Sequence, residues 1–123
     1  MNEDFVPFEM AKKLKEKGFN EVCYNYYEPL KHCLNQIKTS WTNKEGESYG
    51  VITAPTISQV LKWLREEKKI FILIDIRQDL SWFYEIWGIE ISLYPLGCVP
   101  YQKEQSYELA ALAGIEYCLD NLI

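Results

Sequence analysis

Two carboxylates in the second half of the sequence, Asp75 and Glu85, are its clearest candidates for acid–base chemistry. They fall in two neighbouring predicted strands, on the same face and offset diagonally, which brings them close enough to interact. Paired carboxylates perform acid–base catalysis when their surroundings push their two pKa values apart. Hairpin carboxylates more often lie at a wet rim beside a cation such as Arg77, and we favour that interpretation. Asp75 and Glu85 are therefore weak acid/base candidates, and we predict no catalytic residue.

The single histidine and the four cysteines offer the other route to chemistry. Cys23, His32 and Cys33 supply the thiolate and imidazole donors that zinc prefers. Adjacent residues of a strand point to opposite faces, however, so His32 and Cys33 cannot easily share one ion or act as a nucleophile and its base. Cys118 lies on the apolar stripe of a predicted helix, where a thiol is inert packing, and nothing places Cys98 near the histidine. We therefore predict no metal site and no cofactor, and an enzyme is the less favoured class.

Length and charge narrow the class of protein further. The 123 residues suit a single α+β domain spanning 1–123, and the net charge of −5 argues against binding to nucleic-acid phosphates. The densest group of lysines, at residues 12–17, shares its segment with Glu9 and Glu16. Such a mixture of signs is typical of a solvated helix face and not of a phosphate-binding track.

The N-terminal residues and the hydropathy indicate the compartment. Residues 1–10 contain no basic region and no long apolar run, so we expect no signal peptide. No stretch of the sequence approaches the roughly 18 apolar residues that a membrane span needs. We therefore expect a cytoplasmic protein with no membrane partner, whose cysteines are reduced thiols.

Hydrophobic periodicity and capping residues predict three helices, at residues 7–17, 54–68 and 107–122. The first is the best marked. Gly18 suits the left-handed position that follows a helix, and Leu14 and Phe19 suit the apolar contact that accompanies it.

Alternating side chains predict strands between the helices. One lies within residues 21–30, a less regular one within 30–42, and a pair at 70–76 and 82–91. The polar residues 43–48 are predicted to form a mobile loop. The resulting order is α-β-β-α-β-β-α, which places the chain in the α+β class with an antiparallel sheet and three helices.

The pair of strands at 70–76 and 82–91 forms a central hairpin that is apolar on both faces. We predict that Ile76 lies opposite Trp82, because a slip of one residue would place Glu85 among buried isoleucines. We expect the second and last helices to cover the isoleucine face. We expect the N-terminal half, or failing that a second copy of the chain, to cover the opposite face. That opposite face carries Phe71, Leu73, Asp75, Phe83, Glu85, Trp87 and Ile89.

Three blocks of the sequence carry a resemblance to a known family. They are FVPFEMAKKLKEKGFNEVCYNYYEPL, APTISQVLKWLREEKKI and SYELAALAGIEYCLDNLI. In these blocks and in their order, the chain resembles a family of small proteins of unassigned activity that recur in gut Bacteroides genomes and in their phages and mobile elements. The resemblance implies a phage-associated or mobile-element origin, an intracellular site and an α+β fold, and it assigns no catalytic residues.

The leading functional prediction is a non-catalytic module that binds a protein partner or itself, as a homodimer. Aromatic residues make up 15% of the chain, and Tyr and Trp are enriched at contact surfaces. The predicted surface comprises Phe71, Trp87, Ile89, Tyr24, Tyr26 and Tyr27.

The alternative is a nucleic-acid-binding protein, because the predicted layout loosely resembles a double-stranded-RNA-binding domain. Such domains need basic residues at the start of the last helix. Residues 104–108 read EQSYE, and so their charge argues against this alternative.

Overall fold

The computed structural model of the chain describes residues 4–28, 30, 33–90, 92–97 and 103–123. The chain divides into two compact units, Met1–Thr56 and Ile57–Ile123. They are called the N-terminal unit and the C-terminal unit below, and each is described by itself.

The N-terminal unit is built on a three-stranded antiparallel sheet in which the strands follow the order β2-β1-β3. Its apolar core includes Val6, Leu14, Phe19 and Cys23. The elements, in chain order, are helix α1 (Phe8–Glu16), strands β1 (Cys23–Glu28) and β2 (Cys33–Trp41), helix α2 (Asn43–Gly46), the 3₁₀ turn Glu47–Tyr49 and strand β3 (Ile52–Thr53).

Helix α1 ends as the sequence predicts. Gly18 has a φ of +91°, which only glycine adopts without strain. The backbone N–H of Phe19 donates to the Leu14 carbonyl at 2.9 Å, and that of Gly18 donates to the Lys15 carbonyl at 3.1 Å. These two bonds define the Schellman ending and satisfy carbonyls that the helix leaves unpaired.

The predicted mobile loop at residues 43–48 is wrong. Asn43 to Gly46 form helix α2, which begins with a capping box: the Thr42 hydroxyl accepts from the Glu45 N–H, and the Glu45 carboxylate accepts from the Thr42 N–H at 3.0 Å. Asn43 itself is only 4% exposed. The Asn43 side chain bonds to Phe19 and Thr53, and the Lys44 N–H bonds to Asn20, so hydrophilicity alone was a misleading signal.

The C-terminal unit is a three-stranded antiparallel meander flanked by two helices. The predicted register of its central hairpin is confirmed. Ile76 lies opposite Trp82, and Ile72 lies opposite Ile86. The elements are helix α3 (Ile57–Glu67), strands β4 (Ile70–Ile76), β5 (Trp82–Ile89) and β6 (Leu93–Gly97), and helix α4 (Tyr107–Asn121).

The helices pack on the isoleucine face of this sheet, as expected. Ile72, Tyr84 and Ile86 are buried there, and the position of Gly114 in α4 lies against Ile72 and the Tyr84 ring. Helix α3 contacts both α4 and β4. Ser106 caps α4, since its hydroxyl accepts from the Leu109 N–H at 3.1 Å.

The α+β class with antiparallel sheets is confirmed, but the predicted count and order of elements are not. The described residues contain four α-helices and six strands, where three helices and four strands were predicted. Helix α2 has four residues and β3 has two, which is too short to produce a hydrophobic period. Strand β6 contains Pro95, a residue that strand patterns tolerate only at a sheet edge, and β6 is an edge strand.

The turn between β4 and β5 holds Leu80 in the left-handed region, with a φ of +66°. The turn is closed by bonds from the Arg77 N–H to the Ser81 carbonyl and from the Leu80 N–H to the Arg77 carbonyl, at 2.8 and 2.9 Å. Both the hydroxyl and the N–H of Ser81 donate to the Asp79 carboxylate, which lowers the pKa of that carboxyl to about 2. The side chain of Leu80 is 75% exposed, so it gains little from packing.

Replacing Leu80 by glycine should raise the free energy of unfolding by about 0.5–1 kcal/mol. Left-handed backbone costs a leucine about 1–2 kcal/mol, which exceeds the roughly 0.5–1 kcal/mol that the extra chain entropy of glycine costs on folding. Urea denaturation followed by circular dichroism measures the change. Leu93→Gly is the control, because Leu93 is exposed in the extended strand β6, where glycine should destabilise. Equal destabilisation by both substitutions would contradict the prediction.

Candidate protein-interaction surfaces

The face of the C-terminal sheet opposite the isoleucines carries five large apolar side chains, which we call the aromatic face. Each of them is half-buried. Phe71 of β4 lies directly opposite Trp87 of β5, so two large aromatic side chains are neighbours on this face. Leu73 follows Phe71 on the same face of β4, and Ile89 follows Trp87 on the same face of β5. The aromatic face comprises Phe71, Leu73, Phe83, Trp87 and Ile89.

Charged groups on the aromatic face are held against its rings. The indole N–H of Trp87 donates to the Glu85 carboxylate at 3.3 Å. The Arg77 guanidinium lies 4.4 Å from the centroid of the Phe83 ring, where the electron-rich face of the ring attracts a cation. The surface is thus apolar at its centre and carries both signs of charge, which is the composition of a protein-contact surface.

Strand β6 extends this surface through an irregular pairing with β5. Ile86 pairs with Gly97 and Trp87 pairs with Pro95, so Leu96 is an extra residue on the β6 side. The bulge accompanies a shallow groove of about 440 Å³ beside Trp87. Glu85 and Pro95 also line it, so the groove combines an indole, a proline ring and one carboxylate.

The two carboxylates that could support acid–base chemistry do not line a common groove among the described residues. Glu85 lines the groove beside Trp87, whereas Asp75 is exposed and accepts a 2.7 Å bond from the N–H of Ile76. Their strands are in the predicted register, with Asp75 opposite Phe83 and Glu85 opposite Leu73. Among the described residues, the groove beside Trp87 is therefore lined by one of the two carboxylates and not by the other.

The three tyrosines of β1 lie on two sides of the N-terminal sheet. Tyr27 is buried, its hydroxyl donates to the Val6 carbonyl at 2.7 Å, and burial raises the pKa of that hydroxyl. Its ring meets Phe8 edge to face at 5.7 Å. Tyr26 is half-buried and Tyr24 is 62% exposed. Because neighbouring side chains of a strand alternate, Tyr24 and Tyr26 share the outer face and Tyr27 belongs to the core.

Two aromatic residues that the sequence analysis did not select join Tyr26 on the outer face. The rings of Trp41 and Tyr49 stack with centroids 4.6 Å apart and planes 10° apart. The Tyr26 and Trp41 rings lie 5.7 Å apart. No local pattern indicated this cluster, because its members come from β1, the end of β2 and the 3₁₀ turn.

The cysteines that the structure describes are buried thiols. Desolvation raises the pKa of Cys23 to about 11 and that of Cys118 to about 12, so neither forms the reactive thiolate at neutral pH. His32, the Cys33 side chain and Cys98 lie outside the described part of the structure. Within the residues that it does describe, no three His, Cys, Asp or Glu side chains are grouped to hold a metal ion.

Two findings bear on what kind of protein this is. Throughout the described ranges, every helix is too short or too polar to cross a bilayer. Comparison with family models, with curated proteins and with solved structures gives no match to this chain.

Proposed function

We propose that the protein is a non-catalytic protein-interaction module that binds through the aromatic face of its C-terminal unit. The observation that carries the proposal is the set of five half-buried apolar side chains on the sheet face opposite the one against which α4 packs. A large apolar patch on the surface of a monomer usually marks a contact surface. Trp87 and Phe71, paired at its centre, are the residues that should dominate the binding energy.

A second copy of the chain is the first partner to test. In a twofold contact the same patch meets itself, so the patch must be complementary to itself in shape and in charge. The aromatic face meets the charge requirement, since it carries Arg77 as well as Glu85 and Asp75. Its apolar centre would be buried against an identical apolar centre, and the charged rim would set the orientation.

The charge of the C-terminal unit argues against contact with nucleic acid. Acidic residues outnumber basic ones between residues 57 and 123. A phosphate backbone would be repelled by such a charge balance.

We also propose that Tyr24 and Tyr26 provide an aromatic contact surface on the N-terminal unit. A cytoplasmic role in a phage or mobile element also remains proposed, on the sequence resemblance alone.

Replacing Trp87 by serine should weaken self-association at least about 30-fold, because a central tryptophan in an interface contributes about 2 kcal/mol or more. Light scattering over a range of concentrations measures the effect. The wild-type protein should approach twice the 14.5 kDa chain mass, whereas the Trp87→Ser variant should remain at 14.5 kDa.

Trp82→Ser is the matched control. Trp82 is half-buried on the same strand, but it lies on the isoleucine side of the hairpin, in edge-to-face contact with Tyr107. The control should dimerise as the wild type does. A wild-type protein that stays at 14.5 kDa at every concentration would rule out self-association. Unfolding caused by Trp87→Ser alone would show that Trp87 is part of the core instead.

A further inference from the structure

The outer edge of strand β4 differs in its residues from the outer edge of β6. The C-terminal sheet has the order β4-β5-β6, so among the described residues β4 has a neighbouring strand on one side only. Strand β6 contains Pro95, which has no N–H to offer an incoming strand, and proline is one of the residues that protect sheet edges. Strand β4 lacks such a block in residues 70–74, which read IFILI, without charge, proline or glycine.

The pairing of β4 with β5 determines which of its backbone groups point outward. The N–H of Ile89 donates to the Lys69 carbonyl at 2.9 Å, and that of Arg77 donates to the Ser81 carbonyl at 2.8 Å. Bonded pairs alternate along an antiparallel ladder, so the odd-numbered residues of β4 bond to β5. The N–H and C=O groups of the even-numbered residues therefore point away from β5. These residues are Ile70, Ile72, Ile74 and Ile76.

The side chains of these isoleucines point in a different direction from their backbone groups. Ile72 is only 7% exposed, because its side chain faces α4, where Gly114 lies against it. Side chains stand roughly perpendicular to a sheet, whereas the backbone groups that bond between strands lie in its plane. Burial beneath α4 is therefore compatible with a backbone edge that pairs with another strand.

Asp75 sets one end of this edge. Its carboxylate accepts from the N–H of Ile76 at 2.7 Å, so the last outward N–H of β4 already has a partner. The other outward groups belong to Ile70, Ile72 and Ile74, and each of these residues presents one N–H and one C=O. Donors and acceptors that alternate in this way along an extended strand match the backbone of another extended chain.

We propose that the outer edge of β4 accepts an extended segment of a partner polypeptide as a fourth strand of the C-terminal sheet. The added strand would bond to the outward groups of Ile70, Ile72 and Ile74, and alternate side chains of that strand would lie beside Phe71 and Leu73. The backbone edge is separate from the side chains of the aromatic face, so this inference does not depend on the function proposed above.

Charge complementarity indicates the direction and the composition of that segment. Asp75 lies near the C-terminal end of β4, and Lys68 and Lys69 precede its N-terminal end. A segment that begins with a basic residue and ends with an acidic one would therefore run antiparallel to β4. These charges act across the ends of the strand and keep the bonds that they already make, among them the bond from the Lys69 ammonium to the Glu66 carbonyl.

Hydrogen exchange of the intact protein, followed by ¹H–¹⁵N NMR, tests whether the edge is open. In the protein alone, the amides of Ile72 and Ile74 should exchange at least about tenfold faster than those of Phe71 and Leu73, which bond to β5. Equal protection of these amides would overturn the proposal, because it would show that the chain itself or a second copy already covers the edge.

The probe for binding is the capped peptide Arg-Thr-Val-Thr-Val-Thr-Glu, whose threonines lie opposite Ile70, Ile72 and Ile74 in the antiparallel register. Its addition should slow exchange at Ile72 and Ile74 and leave exchange at Ile86, in the central strand β5, unchanged. The peptide with its two charged ends exchanged, Glu-Thr-Val-Thr-Val-Thr-Arg, should bind about two- to fivefold more weakly. Equal binding of these two peptides would contradict the assigned direction.

Two N-methylated forms of the first peptide separate backbone pairing from apolar contact. A methyl group on the nitrogen of the central threonine replaces the donor that faces Ile72, whereas a methyl group on the nitrogen of an adjacent valine points away from β4. The first should weaken binding at least about tenfold, and the second by less than about twofold. Equal affinities of the two methylated peptides would overturn the proposal, as would an unmethylated peptide that leaves exchange at Ile72 unchanged.

Discussion

Replacing Asn43 by leucine should lower the free energy of unfolding of the N-terminal unit by about 3 kcal/mol. The buried Asn43 amide joins three parts of that unit. Its N–H₂ group donates to the Phe19 carbonyl at 2.7 Å, and its oxygen accepts from the N–H and the hydroxyl of Thr53, each at 2.9 Å. Leucine would remove all three of these buried hydrogen bonds, and a buried polar group that loses its bond costs about 1–3 kcal/mol. Chemical denaturation followed by circular dichroism measures the loss.

Asn20→Leu is the control for this substitution. Asn20 lies beside the same helix and its side chain accepts from the Lys44 N–H at 2.9 Å, but it is exposed, so water replaces the lost bond. We expect Asn20→Leu to change stability by less than about 1 kcal/mol. If the two leucine substitutions have the same effect, Asn43 does not hold the unit together.

Asn43→Asp separates the loss of the donor from the loss of the whole network. An aspartate keeps an oxygen for Thr53, but it presents a buried negative charge to the Phe19 carbonyl oxygen. The pKa of this new carboxyl should therefore be higher in the folded state than in the unfolded state, where it is about 3.9. A raised folded-state pKa means that the folded state binds the proton more tightly, so acid should stabilise the variant relative to the wild type as the pH falls through that pKa. A constant difference from the wild type between pH 7 and pH 4 would contradict this account.

The hairpin register is the part of the fold that the sequence determined best. Strand pairing was settled by one carboxylate, because only one of two neighbouring registers kept Glu85 away from the isoleucines. The end of α1 was predictable for a similar reason, since Leu14, Gly18 and Phe19 each have one role in a Schellman ending. In both places the local pattern allowed one structure, and the alternative structure would have cost free energy.

Residues 41–53 show where such reasoning fails. The polar character of Asn43 indicated a loop, but its partners Phe19 and Thr53 are 24 and 10 residues away along the chain. The stack of Trp41 on Tyr49 depends on the helical turn between them, which spans too few residues to be visible as a period. Tertiary packing determines the contacts of such short elements, and local sequence patterns carry no information about it.

Some residues of the candidate surfaces were likewise predictable from local patterns, and others were not. Phe71, Trp87 and Ile89 could be selected in advance because alternation along two confirmed strands places them on one face. Alternation also predicts that Tyr24 and Tyr26 share a face and that Tyr27 does not, yet the abundance of tyrosine in β1 suggested a single cluster. Helix α1 determines which of the two faces is the core, because its Phe8 ring packs against the Tyr27 ring.

Gly114 is the position in the C-terminal unit where one substitution should have the largest effect. A Cβ at this position would lie 3.0 Å from Cγ2 of Ile72 and 3.2 and 3.3 Å from two atoms of the Tyr84 ring. Both neighbours are buried, so neither has free space into which it could move. Gly114→Val should therefore lower the free energy of unfolding by about 3 kcal/mol, because it forces α4 away from the sheet.

Two further substitutions isolate the steric cause. Ala113→Val introduces the same β-branched side chain one residue earlier, at a half-buried position, and should cost less than about 1 kcal/mol. Gly114→Ala sets a gain of about 1 kcal/mol in helix propensity against a contact that is tight by a few tenths of an ångström, so its net effect should be close to zero. Thermal and urea denaturation of the three variants measure these differences. If Gly114→Val were within 1 kcal/mol of Ala113→Val, α4 would not be held close to the sheet at this residue, and glycine there would have no packing role.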